Sequence, residues 1–210
     1  MEPVRLYYSY NDVHKMCAEQ ANHILQVFRP DVIIAIGGGG FIPARILRTF
    51  LKKKGSKNIP IQAIGLSLYE ELTTDSPEEV PGVEVKRTQW LDFSTLGMVS
   101  LVGKNILIVD EVDDTRTTLH YAVRELQNDV AKQAKELNRE HEKTSFGIFV
   151  VHNKVKPKNA ELDKELVDNY YFAGCNTPDY WIMYPWEAID IDEHDALVNK
   201  QKSKLLDKSA

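Results

Sequence analysis

The chain has 210 residues, of which 43% are apolar and 27% charged, and a formal net charge of −5. That length suits one domain with a small appended lobe, burying roughly 70% of the unfolded surface with no need of staples. No basic block is present to track a nucleic-acid backbone, no apolar run approaches the ~20 residues of a membrane span, and the two cysteines, Cys17 and Cys175, sit in unrelated contexts that predict no disulfide framework.

The opening MEPVRLYYSYND lacks a basic segment followed by an apolar stretch, so no secretory leader is expected. Apolar residues then recur near the helical period over Val13–Phe28, with Asn11 or Asp12 as the expected cap and Pro30 as the stop. Asp31–Ile36 is rich in β-branched residues and reads as a buried parallel strand broken by Gly37–Gly40. A helix is expected over Ile42–Lys53, with Pro43 in its first turn, where a missing N–H costs little. Ile59–Leu68 reads as a strand, Tyr69–Gly82 as a long acidic loop of the kind that serves as a lid, and Val83–Trp90 as a returning strand. Asn105–Val109 predicts another buried strand, Thr117 to about Asn138 an amphipathic helix, and Ser145–His152 a further strand. Asn153–Tyr170 is lysine-rich and turn-like, Tyr171–Trp186 is dense in aromatics, and Asp192–Ala210 reads as a charged, frayed tail.

Strands alternating with helices predict an α/β fold: a mainly parallel twisted sheet with helices on both faces, plus a small C-terminal lobe. The expected divisions are a core over 1–152, the lobe over 153–191 and the tail over 192–210.

The densest chemistry follows the Ile106–Val109 strand, in Asp110-Glu111-Val112-Asp113-Asp114-Thr115-Arg116-Thr117-Thr118. Backbone N–H groups at a helix start, backed by the hydroxyls of Thr115, Thr117 and Thr118, make a cradle for a dianion. Asp110 and Glu111, just upstream, suit vicinal ribose hydroxyls or the water shell of Mg²⁺. An ordinary helix cap accounts for one Asp and one Thr, not for four acids after an apolar strand. The Gly37–Gly40 turn is a second strand-to-helix anion geometry, and two such loops at the carboxyl ends of one sheet face one crevice. It fits neither a Walker A nor a Rossmann fingerprint. The aromatic run Thr177–Glu187 reads either as lobe core or as a binding surface.

Val109–Thr118 resembles the phosphoribosyl diphosphate signature of type I phosphoribosyltransferases, and Trp181-Ile182 with Pro185-Trp186-Glu187 resembles the hood of their 6-oxopurine members. The likeness spans roughly Tyr8 to Glu187 and is greatest to fungal hypoxanthine-guanine and xanthine enzymes. It implies a purine salvage transferase that makes IMP, GMP or XMP and pyrophosphate with Mg²⁺, working as a cytoplasmic homodimer with access to the nucleus. Asp114 inherits the role of general base near purine N7. Asp110, Glu111, Asp113, Asp114, Thr115, Arg116, Thr117 and Thr118 inherit the phosphoribosyl group, and Gly37, Gly38, Gly39 and Gly40 the pyrophosphate. Trp181 stacks on the purine, Ile182 reads its edge, and Lys154, with Lys156 as alternate, meets its exocyclic oxygen. Asp110, Glu111 and Glu187 inherit the metal, and Ser67 and Tyr69 the closing flap. Two departures stand out. Arg116 takes the place of a common glycine, so that the loop traces differently or gains a guanidinium contact to phosphate. The lysine or arginine that often precedes the first loop's glycines is missing, leaving Arg45 or Arg48 to supply that charge. A phosphoribosyl-diphosphate-sensing regulator on the same fold is the alternative.

Overall fold

The computed structural model describes residues 4–52, 55–69, 84–91 and 100–207. The elements in chain order are β1 (Arg5–Tyr7), α1 (Tyr10–Val27), β2 (Val32–Gly37), α2 (Phe41–Leu51), β3 (Ile61–Tyr69), β4 (Glu84–Gln89), β5 (Asn105–Asp113), α3 (Thr117–Glu136), β6 (Ser145–Lys154), α4 (Lys164–Tyr170), β7 (Tyr171–Thr177), β8 (Trp181–Met183), a 3₁₀ turn (Pro185–Glu187) and α5 (Ile191–Asp207).

Six strands form one sheet in the order β4-β3-β2-β5-β6-β7. All neighbours are parallel except β3 and β4. Because β2 is buried on both faces, its side chains alternate between two cores. Ile33 and Ala35 pack with Val13, Cys17 and Ile24 of α1 and Leu47 of α2, whereas Ile34 and Ile36 pack with Leu119, Ala122 and Leu126 of α3. The expected α/β sheet with helices on both faces is therefore present. From β2 the chain moves outward through α2 to β3, and from β5 it moves the other way through α3 to β6. The crevice between the carboxyl ends of β2 and β5 is thus a topological switch point, where open α/β sheets place ligands.

Several expectations need correction. Helix α1 begins at Tyr10 and is capped by Ser9, not by Asn11 or Asp12. The Ser9 hydroxyl accepts the Asp12 N–H at 3.2 Å and the Asp12 carboxylate accepts the Ser9 N–H at 3.0 Å, a reciprocal box. Strand β5 runs on to Asp113 instead of turning at Asp110, because β6 also continues and pairs Asp110, Val112 and Asp113 with Val150, His152 and Asn153. The expected boundary at 152/153 consequently falls inside β6. Residues 164–170 form a helix, and Tyr171–Thr177 is a strand of the main sheet, not part of an appended lobe.

The small second sheet pairs β8 with β1 from the other end of the sequence. The charged segment after residue 190 is helix α5 and is docked, not frayed. Val198 and His194 are buried, and the Gln201 side-chain amide accepts the Tyr7 N–H at 3.0 Å and donates to the Tyr7 carbonyl at 3.2 Å. His194 Nε2 lies 2.9 Å from the Tyr8 carbonyl, and Lys202 reaches Asp12 at 2.6 Å. Among the described residues no helix is long and apolar enough to cross a membrane.

Candidate active site

A cavity of about 780 Å³ opens at the switch point, lined by Gly37–Gly39, Asp110–Leu119, Asn159 and Trp181. Strand β2 delivers the glycines. The Gly40 N–H donates to the Ile36 carbonyl at 2.8 Å, turning the chain sharply into α2. A Cβ on Gly40 would collide with the carbonyl oxygens of Val109 and Ile36, and one on Gly39 with the Glu111 carboxyl. The glycines thus let this turn lie directly against β5. Neither Arg45 nor Arg48 lines the cavity, and Arg45 instead donates to Thr49 one turn along α2, at 2.9 Å.

At the start of α3 the first bond of the helix ladder runs from the His120 N–H to the Arg116 carbonyl at 2.9 Å. The N–H groups of Thr117, Thr118 and Leu119 therefore precede the ladder, beside the Thr115 and Thr117 hydroxyls, which are 3.0 Å apart. This is a helix end equipped for an anion. Arg116 occupies the left-handed region at φ 70°, where glycine would be least costly. Its guanidinium bonds to Asp113, through Nε at 3.0 Å and Nη2 at 2.7 Å. The Asp113 carboxylate, fully buried, also accepts from the Tyr171 hydroxyl at 2.7 Å through the same Oδ2, while Oδ1 has no hydrogen-bond partner among the described residues.

Asp110 and Glu111 stand at the cavity edge of β5. Burial pushes the Asp110 carboxyl up to about 8; the charges of Glu111 and Asp113 add to this, and a bond from the Glu111 N–H opposes it. Glu111 is also raised by burial and by the Glu187 charge, although Trp186 Nε1 donates to its carboxylate at 2.9 Å. The Tyr184 hydroxyl donates to the Glu111 carbonyl at 3.0 Å and stands 2.8 Å from His152 Nδ1. Tyr184 and Trp186 stack at 4.6 Å, so the 3₁₀ segment and the residue before it brace Glu111 from behind. Among the described residues, no group of three or more His, Cys, Asp or Glu side chains is arranged to hold a metal by itself.

Both candidate lysines meet Asp114: Lys154 Nζ at 2.8 Å and Lys156 Nζ at 2.5 Å, with Asp179 as their second partner at 3.4 and 3.0 Å. Burial favours the neutral Asp114 acid, but the two ammonium groups outweigh it and hold the carboxyl below its usual range. The side chain of Lys154, at the end of β6, is nine-tenths covered, whereas Trp181 lies more than half exposed over the cavity. Ile182 is buried beneath it and pairs with Leu6. Ser67 sits exposed on β3. The side chain of Tyr69 and the rest of the expected flap lie outside the described residues.

Two residues escaped the sequence reading. Lys158 Nζ donates to the carbonyls of Asp113, Asp114 and Lys154 at 2.7, 2.9 and 2.8 Å. The Asn159 N–H donates to the Thr115 carbonyl at 2.9 Å. Both come from the lysine-rich insert, where the only available signal was a basic residue at every second position from 154 to 158.

No family model matches the chain. It is 86% identical over 200 residues, 95% of this chain and 97% of the relative, to a hypoxanthine-guanine phosphoribosyltransferase of Schizosaccharomyces pombe. It is 58% identical over 204 residues, 95% of this chain and 98% of the relative, to xanthine phosphoribosyltransferase 1 of Saccharomyces cerevisiae. Among solved structures it is similar to a hypothetical protein of Neisseria gonorrhoeae with bound ppGpp, at a TM-score of 0.75 and 37% identity, covering 96% of this chain and 99% of the other.

Proposed function

The chain belongs to the type I phosphoribosyltransferases, among their purine members, and on that premise we propose that it transfers the phosphoribosyl group of phosphoribosyl diphosphate to a 6-oxopurine, making IMP, GMP or XMP and pyrophosphate. The observation that carries the reading is the convergence in one crevice of a hydroxyl-rich helix start, a half-buried acidic pair and a lysine-held carboxylate beneath an exposed tryptophan. These are the separate needs of a 5′-phosphate, a ribose diol and a purine N–H.

Thr115–Thr118 and the amides opening α3 take the 5′-phosphate, and Asp110 and Glu111 accept from the ribose hydroxyls. Gly37–Gly40 receive the diphosphate. Trp181 stacks on the purine and the Ile182 backbone reads its edge, so that β8, its partner β1 and the 3₁₀ turn act as the purine-binding lobe. Lys154, with Lys156 as alternate, turns from Asp114 to the exocyclic oxygen, which frees Asp114 to hold the N7 proton as N9 attacks C1. The C1–O bond breaks and pyrophosphate leaves with its electron pair. Positioning and charge stabilisation supply most of the rate. Ser67 and Tyr69, on the flap, exclude water from C1.

Asp110 and Glu111, adjacent carboxylates on the cavity edge of β5, would hold Mg²⁺; Glu187, whose charge helps raise the Glu111 carboxyl, would support them without the three forming a ready metal cluster. With so few protein ligands, the remaining positions fall to substrate oxygens and water. Bound Mg²⁺ neutralises the diphosphate as a leaving group. By resemblance the working form is a homodimer in the cytoplasm, with access to the nucleus.

An ultraviolet assay offering hypoxanthine, guanine, xanthine and adenine separately tests the reading. Turnover with a 6-oxopurine but not adenine is expected. Binding of phosphoribosyl diphosphate with no turnover of any base would leave the sensing regulator.

A further inference from the structure

Arg116 adopts a backbone form that disfavours a side chain with a Cβ, so its retention of the helix-opening position calls for a compensating interaction. The compensation lies in what its guanidinium reaches. Nε and Nη2 both bond to Asp113 Oδ2, and the guanidinium carbon sits 5.4 Å from the centre of the Tyr171 ring. Tyr171 donates its hydroxyl to the same carboxylate oxygen, and Lys158 Nζ stands 3.5 Å from the other. Lys158 spends its three donors on the carbonyls of Asp113, Asp114 and Lys154, and so spans the ends of β5 and β6. Asn159 then closes the loop from above, donating to the Thr115 carbonyl and, through Nδ2 at 3.3 Å, to the Thr117 hydroxyl. Elements from four places in the sequence thus pin the five residues Asp114–Thr118 in one conformation.

We propose that Arg116 and Lys158 are positioning residues which, through Asp113, hold Asp114–Thr118 in its phosphate-receiving form before the ligand arrives. Where a glycine would leave this turn free, the chain carries a pinned loop, and the ordering that a ligand would otherwise impose is already complete. The inference rests on the phosphoribosyl reading of the site. Its distinguishing signature is a change in the affinity for phosphoribosyl diphosphate, with the chemistry on the bound complex unaltered.

The test uses Arg116→Gly and Lys158→Met, with steady-state kinetics and direct calorimetric titration by phosphoribosyl diphosphate. Each variant is expected to weaken phosphoribosyl diphosphate about fivefold to tenfold, in both Kd and KM, while kcat stays within about twofold and the purine KM is unchanged. The double variant should lose less than the product of the two single losses, because both act through Asp113. Arg116→Lys, keeping charge but not the two-pronged contact, should recover part of the loss. Unchanged or tighter binding by Arg116→Gly would overturn the proposal, since the arginine would then be merely tolerated. A loss of kcat with KM and Kd intact would also overturn it. Wild-type binding without turnover would sink the transferase reading while the Kd comparison still judged the loop. A wild type that does not bind phosphoribosyl diphosphate would overturn both.

Discussion

Replacing Asp114 by asparagine keeps the shape of the side chain and removes its charge, which separates chemistry from structure at one position. Breaking a buried ion pair on one side costs about 3–5 kcal/mol when the other charge is stranded. Here the Lys154 ammonium keeps Asp179 at 3.4 Å, and the Asp114 side chain is 41% exposed, so water screens the lost attraction. The expected loss of stability is therefore about 1–2 kcal/mol, or roughly 3–6 °C in Tm for a chain of this length. Loss of a positioned group that holds a proton in the transition state is larger, about 10²–10⁴ in rate. Stopped-time nucleotide formation with saturating phosphoribosyl diphosphate reads the second quantity, and thermal melting the first. The KM for phosphoribosyl diphosphate should stay within about threefold, because the proposed reading gives the 5′-phosphate to Thr115–Thr118 and not to this carboxylate. Equal losses in kcat and in sugar-diphosphate binding would refute the assignment and make Asp114 a binding residue only.

Trp181→Ala should raise the purine KM about tenfold while leaving Tm unchanged, because more than half of the ring faces solvent; an unchanged KM would place the stacking elsewhere. Gly40→Ala forces a methyl group against the backbone oxygens of Val109 and Ile36, which belong to the two central strands and cannot swing aside. A loss of roughly 1–3 kcal/mol is expected in urea unfolding, and wild-type stability would show that the turn can reshape. Asp12 tests the docking of α5: burial raises its carboxyl, but bonds from Lys202 and Ser9 outweigh this and hold it below its ordinary value. A depressed folded value means that the contribution is complete above about pH 4 and fades as pH falls through the folded value. The stability gap between the wild type and Asp12→Asn should therefore be open near neutral pH and close in strong acid, and a gap independent of pH would remove the ion pair from the account.

What could be read from the sequence was what local chemistry determines. The β-branched run Val32–Ile36 signals a strand buried on both faces, and the hydroxyls of Thr115, Thr117 and Thr118 mark a helix start whether or not the fold is known. The strand that adds β7 to the main sheet was hidden, because Tyr171–Thr177 carries aromatics and a glycine instead of a continuous apolar run. Its partner is chosen by the carboxyl end of β6. Helix α5 presents few apolar residues, and its buried positions depend on a β1 edge distant in the chain. Asp113 read as one more acid in a ligand loop. That it is a buried anchor follows only from where Arg116, Tyr171 and Lys158 come to rest, and none of those distances is written in the spacing of the motif.

The pairing of β1 with β8 and the clasp of α5 over β1 have a consequence for the order of synthesis. Arg5–Tyr7 leave the ribosome long before their strand partner Trp181–Met183 and their covering helix α5. The strands carrying Gly37–Gly40 and Asp110–Thr118 can assemble around their own two cores while the first segment still waits. The half of the crevice built from these two loops is thus free to form on the growing chain. The half built on Trp181 is completed only once β8 and α5 have been made and meet Arg5–Tyr7.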